Sequence, residues 1–84
     1  MAQITVPGNV SVKNVKEFRD MVNNAMEGEG AIVLDFSEVA RVDLAVMQVL
    51  IALSRECGEK NRGLRVRAAS PEIRNQLRIS GVIP

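Results

Sequence analysis

The chain has no histidine, no tryptophan and no tyrosine, and Cys57 is its single cysteine. Without histidine and with one thiol, there is no soft-metal ligand set and no Cys–His nucleophile pair. A lone cysteine also rules out an internal disulfide and suits a reducing compartment. Aromatic residues are nearly as scarce. Phe18 and Phe36 are the only two, so the core must be built from Val, Ile, Leu, Met and Ala. The glycines form neither G-x-G-x-x-G nor a phosphate loop closed by Lys-Ser or Lys-Thr, and no cofactor or metal is expected. Long apolar runs are missing too. The longest, Leu44 to Leu53, is interrupted by Gln48 and is far too short to span a bilayer. Met-Ala-Gln-Ile-Thr-Val has no basic start followed by an apolar stretch, so no signal peptide is read and a cytoplasmic location is expected.

What is present is an ordinary globular balance: 84 residues, 46% apolar and 25% charged. That is enough for one domain over residues 1–84 with a modest aliphatic core. The net charge of +1 is unevenly spread. Residues 1–50 hold seven acids against four bases, and residues 51–84 hold three against seven. The basic residues are dispersed and no aromatic side chain lies among them for base stacking, so nucleic acid is not expected as a partner. Asp35 and Asp43 could be imagined as a carboxylate pair. No nucleophile or cation completes a site around them, and no catalytic residue is assigned.

The order of elements is legible. Ile4 and Val6 alternate with Gln3 and Thr5 as a half-buried strand, ended by a Pro7-Gly8 turn. Val15, Phe18, Val22 and Ala25 recur at helical spacing, with Asn14 and Glu17 placed as a capping box and Gly28 and Gly30 as the stop. Ala31-Ile32-Val33-Leu34 reads as a strand in the middle of a sheet. A second helix is expected from Asp43 to Cys57, ended by Gly58. Leu64, Val66 and Ala68 alternate with Arg65 and Arg67 as a third strand. Ser70-Pro71-Glu72 then starts a helix whose stripe is Ile73 and Leu77, closed by Gly81. Such alternation predicts a mainly parallel sheet with crossover helices.

From Leu44 to Leu53, nine of ten residues are apolar. A helix on a sheet needs an apolar stripe only about 100° wide. Met47, Leu50, Ile51 and Ser54 fall on one side, and Val46, Val49, Leu53 and Cys57 on another. One set can face the sheet. The other calls for neighbouring helices or for a partner at the start of the helix.

The stretch from Ala31 to Gly81 resembles the STAS family, whose founding members are bacterial anti-sigma factor antagonists. The shared pattern is an apolar strand ending Asp35-Phe36-Ser37, then Val39-Ala40-Arg41-Val42-Asp43, then an apolar helix. A Gly-bearing turn follows, then Leu64-Arg65-Val66-Arg67 and Ser70-Pro71-Glu72-Ile73-Arg74 leading to Ser80-Gly81-Val82. The earlier Val6-Pro7-Gly8-Asn9-Val10-Ser11-Val12 is similar to the family's N-terminal segment, so the resemblance covers nearly the whole chain. It implies an α/β fold, a short βα superhelix with a mainly parallel sheet of about four strands and helices mainly on one face.

In that family a Ser or Thr normally follows the aspartate that opens the second helix. An ATPase-type anti-sigma kinase phosphorylates it to switch partners. Here Asp43 matches the aspartate and Leu44 stands in the acceptor position, where no hydroxyl can take phosphate. The resemblance is nearest to short members that accompany chemotaxis signalling proteins, with another branch in lipid-trafficking ABC transporters. The sequence runs to Pro84 without the family's longer C-terminal extension, a part that could contribute to a binding face.

The implied function is a non-catalytic, non-phosphorylatable protein-binding module of bacterial signalling. Its partner would be an ATPase- or kinase-type anti-sigma factor or a chemotaxis signalling protein. The expected contact residues are Glu38, Arg41, Asp43, Leu44, Ala45, Met47 and Gln48. Asp43 would cap the helix, Leu44 and its neighbours would supply apolar contact, and Glu38 and Arg41 would form a polar rim. Two alternatives stand beside it: a small subunit of a lipid-trafficking transporter, and a homodimer using the exposed helix face. No direct membrane insertion is expected.

Overall fold

In a computed structural model of the chain, which describes residues 2–9 and 13–84, strands and helices alternate. They are β1 (Ala2–Thr5), α1 (Val15–Met26), β2 (Ile32–Asp35), α2 (Leu44–Glu59), β3 (Leu64–Arg67) and α3 (Pro71–Ile79). The strands form one parallel sheet in the order β1-β2-β3. Among the described residues it has three strands rather than about four. Residues 10–12, the end of the segment read as the family's N-terminal part, lie outside the described residues.

The register sorts the two faces of the sheet. Ile4, Leu34 and Val66 stand side by side, as do Ala2, Ile32 and Leu64, and these meet the helices. Ile32 and Leu34 are completely buried there. The opposite face carries Gln3, Val33 and Arg65 in one row and Thr5, Asp35 and Arg67 in the next. Gln3, Thr5, Arg65 and Arg67 are exposed and Val33 is half-buried. The helices therefore cover one face, and β2 has helix-side burial with a thinner, polar reverse side.

The long apolar helix α2 is mostly explained by its own domain. Val46, Val49, Leu50, Leu53 and Cys57 are buried, and Met47 joins them on the flank nearer α3. On that flank the Ser54 hydroxyl donates to the Val82 carbonyl at 3.0 Å. Both phenylalanines are 1% exposed and lie in the same cluster. Each such large side chain contributes about 1.5–3 kcal/mol through burial.

Local signals held where backbone and side chain agree. At α3, Ile73 N–H donates to Ser70 Oγ at 3.2 Å, with Pro71 in the first turn. Its end is a Schellman motif: Gly81 has φ +84°, Val82 N–H reaches Leu77 O at 2.9 Å and Gly81 N–H reaches Arg78 O at 3.1 Å.

Other signals did not. α2 runs through Gly58 to Glu59, because the left-handed position that ends it falls on Asn61 (φ +55°). There Arg62 N–H bonds Cys57 O at 2.8 Å and Asn61 N–H bonds Gly58 O at 3.4 Å, the same motif built on asparagine. β3 stops at Arg67, since Ala68 takes φ +58° and leaves the alternation. Asn14 occupies the cap position of α1 without a side-chain cap bond, its amide donating to Asn9 O at 3.4 Å instead.

Arg62, unremarked in the sequence, closes the far end of the domain. Its Nε donates to Gly30 O at 2.7 Å, and its Nη1 donates to Met26 O at 3.2 Å and Ala25 O at 3.3 Å. A guanidinium is thus placed on the last carbonyls of α1, where the helix dipole is negative.

Candidate docking surface

The carboxyl ends of the strands lead into the loops that shape the opposite end of the molecule. The β2–α2 loop begins at Asp35, which is 8% exposed. Its Oδ1 accepts the Ser37 N–H at 2.8 Å and its Oδ2 pairs with Arg67 Nε at 3.5 Å. The Ser37 hydroxyl and N–H hold the Asp35 carboxyl below its ordinary pKa. Arg67 adds to this, and burial opposes it. Phe36 N–H continues onto Arg67 O at 3.0 Å, and Val39 N–H closes a turn on Phe36 O at 3.0 Å. The loop is thereby fixed to β3 before it reaches α2.

The β1–α1 loop packs against it directly. A Cβ at Gly8 would overlap the backbone carbonyl oxygen of Glu38, so glycine is required by close backbone approach. Between the two loops lies a shallow cavity of about 320 Å³. Val39, Val42 and Val46 supply its apolar lining, and Asn9, Arg41 and Asp43 its polar part.

The residues expected at the contact are placed as follows. Glu38, Arg41 and Asp43 are exposed in the loop, and Leu44 opens α2 with 74% of its surface exposed. Ala45 is half-buried beside it. Gln48 is exposed one turn further on and turns toward α1. Met47 is 9% exposed and belongs to the core, so it has little to offer a partner. Asp43 holds the cap position with extended backbone (φ −75°, ψ 159°) but makes no side-chain cap bond. Its carbonyl accepts Met47 N–H at 2.9 Å. The loop is fixed by the Asp35 turn and by Gly8, not by Asp43. Sequence reasoning missed Gly8, Asn9, Val39 and Val42. The Pro-Gly turn and two valines within a polar loop were the available signals.

Asp35 is occupied by Ser37 and Arg67, and Asp43 faces solvent. Among the described residues no three of His, Cys, Asp and Glu gather as a metal site. Burial pushes the Cys57 thiol above its ordinary pKa, against the opposing pull of Arg62. Among the described residues no helix is long and apolar enough to cross a membrane.

A one-sided parallel α/β sheet, with a loop and helix start exposed at its carboxyl end, makes a short βα superhelix. The family model described as "Mlab, STAS domain" matches residues 1–83. The chain belongs to the STAS domain family, an anti-sigma factor antagonist-like module, and domains of this family are in general regulatory rather than enzymatic. No curated protein matches the chain.

Proposed function

We propose that this domain is a non-catalytic regulatory module that binds a protein partner through the β2–α2 loop and the first turn of α2. The carrying observation is Leu44. The other large apolar residues of α2 are buried or half-buried, whereas Leu44 is 74% exposed beside the Val39–Val42 loop. An exposed leucine next in sequence to a shallow depression of mixed valine and polar lining, with Glu38, Arg41 and Asp43 in the same loop, has the layout of an interface anchor and rim. The partner class favoured by the family resemblance is an ATPase- or kinase-type signalling protein of a bacterial cytoplasm.

Binding on this reading is not switched at the usual acceptor position. Leu44 has no hydroxyl, Ser37 lies six residues before Asp43 at the start of the loop, and Ser54 donates to Val82 O more than two turns along α2. Neither serine puts a phosphate at the helix start, where its charge would act. The same surface would serve docking to the ATPase subunit of a lipid-trafficking transporter, the family's other branch. Pull-down from native lysate with mass spectrometry separates the two partner classes.

The direct test is Leu44→Asp. It should weaken partner binding by about 2–4 kcal/mol through a lost apolar contact and a buried charge. Stability should change by no more than about 0.5 kcal/mol, because the position is exposed and an acid is favoured in a first turn. Titration calorimetry and thermal unfolding measure both. Unchanged affinity, or unfolding of the variant, defeats the proposal.

A further inference from the structure

We infer that the β3–α3 side of the domain binds an acidic segment of a protein partner through four arginines, Arg65, Arg67, Arg74 and Arg78. This side is separate from the Leu44 surface, and the inference does not rest on that reading.

The basic residues are dispersed in sequence, and the fold gathers these four. β3 is an outer strand of the sheet. Arg65 and Arg67 project from its reverse face, about 7 Å apart along the strand, and both are exposed. Arg74 and Arg78 lie one turn apart on one flank of α3. That flank is turned toward the β3 edge. Ile32 N–H bonds Gly63 O and Phe36 N–H bonds Arg67 O, so the Val66 carbonyl points away from β2. Arg74 Nη2 donates to that outward carbonyl at 3.4 Å. The two rows of arginine therefore meet along one edge of the molecule.

Few acids balance them. Asp35 pairs with Arg67 at 3.5 Å, and the Arg67 side chain is still 60% exposed. Glu72 is two residues from Arg74 and so stands on nearly the opposite side of α3. Glu56 lines the α1–α2 groove, and Glu38 and Asp43 lie toward the β1 side with Gly8. Four guanidinium groups thus share one carboxylate.

The chemistry and shape select the ligand. A guanidinium fork matches a carboxylate in two parallel hydrogen bonds. The reverse face of the sheet and the flank of α3 meet at an edge, so a flat bilayer can touch only one row. Both phenylalanines are buried, leaving no aromatic side chain on which bases could stack. A flexible acidic chain can follow both rows.

Fluorescence anisotropy at low salt tests this with a labelled octapeptide of alternating glutamate and serine. Charge-matched oligothymidylate of four phosphates and phosphatidylglycerol vesicles are the comparison ligands, and circular dichroism confirms each fold. The wild-type chain should bind the peptide, less tightly as salt rises. Arg65→Gln and Arg78→Gln should each weaken binding about two- to fivefold, and together about tenfold. Arg19→Gln with Arg41→Gln changes net charge equally and should leave the affinity unchanged. No peptide binding at low salt overturns the inference. So does binding indifferent to Arg65 and Arg78, an equal loss in the control pair, or tighter binding to the oligonucleotide or the vesicles through the same arginines.

Discussion

Asp35 shows how one side chain can set the geometry of a loop and a pH signature together. Its carboxyl is held below the ordinary value by Ser37 and Arg67. A lowered folded pKa means that the ionised form is favoured by folding. The stabilisation is complete above the unfolded value, about 3.9, and is lost as pH falls through it toward the folded pKa. Asp35→Asn should therefore be less stable than the wild type near neutrality, and the gap should narrow below about pH 4. Urea titrations at several pH values measure it, and a gap constant down to pH 3 would contradict the assignment. Asp35 was legible in the sequence as a strand-end acid. Its partners were not, because Arg67 reaches it only through the β2–β3 register.

The elements were legible where their signals are contiguous. Ser70, Pro71 and Gly81 lie within the span that they cap, and they act as their types suggest. Gly58 misled because glycine marks permission for a left-handed turn, not the turn itself. The domain spends that conformation on Asn61 and Ala68 instead. Moving glycine to where the backbone wants it should stabilise the chain. Ala68→Gly and Asn61→Gly should each add about 0.5–1 kcal/mol by relieving left-handed strain, with the larger gain at alanine. Gly58→Ala should add about the same, because a Cβ there meets nothing within 4 Å and the position is helical. Thermal unfolding of the three variants and their combination checks both the signs and the additivity. In α2 the sequence showed too many apolar residues for one stripe. Only the packing of α1 and the Val82 segment around it separates the buried set from Leu44.

At the scale of the whole molecule, the candidate surface is assembled by two loops that meet far apart in sequence. The Gly8–Glu38 approach joins the two halves of the surface, and no local pattern announces it. Gly8→Ala should push the loops apart, costing about 1–3 kcal/mol of stability by overpacking. It should also weaken partner binding, while Gly58→Ala leaves binding alone. Calorimetric titration beside denaturant unfolding reads both effects. Equal affinity for Gly8→Ala and wild type would show that the β1–α1 loop is not part of the surface.

Arg62 has a consequence in time as well as in stability. It ties the α2–β3 turn to the end of α1 across 32 to 37 residues of chain. Bonds of such sequence separation, which need both helices and the turn between α2 and β3, are expected to form in the last steps of assembly. A contact absent from the transition state slows escape from the native state without hastening arrival. Arg62→Ala should thus move the unfolding limb of the chevron and leave the folding limb nearly still, with about a tenfold faster unfolding for each ~1.4 kcal/mol lost. On that outcome the residue is a latch on the closed chain, setting how long a folded molecule lasts rather than how quickly it forms.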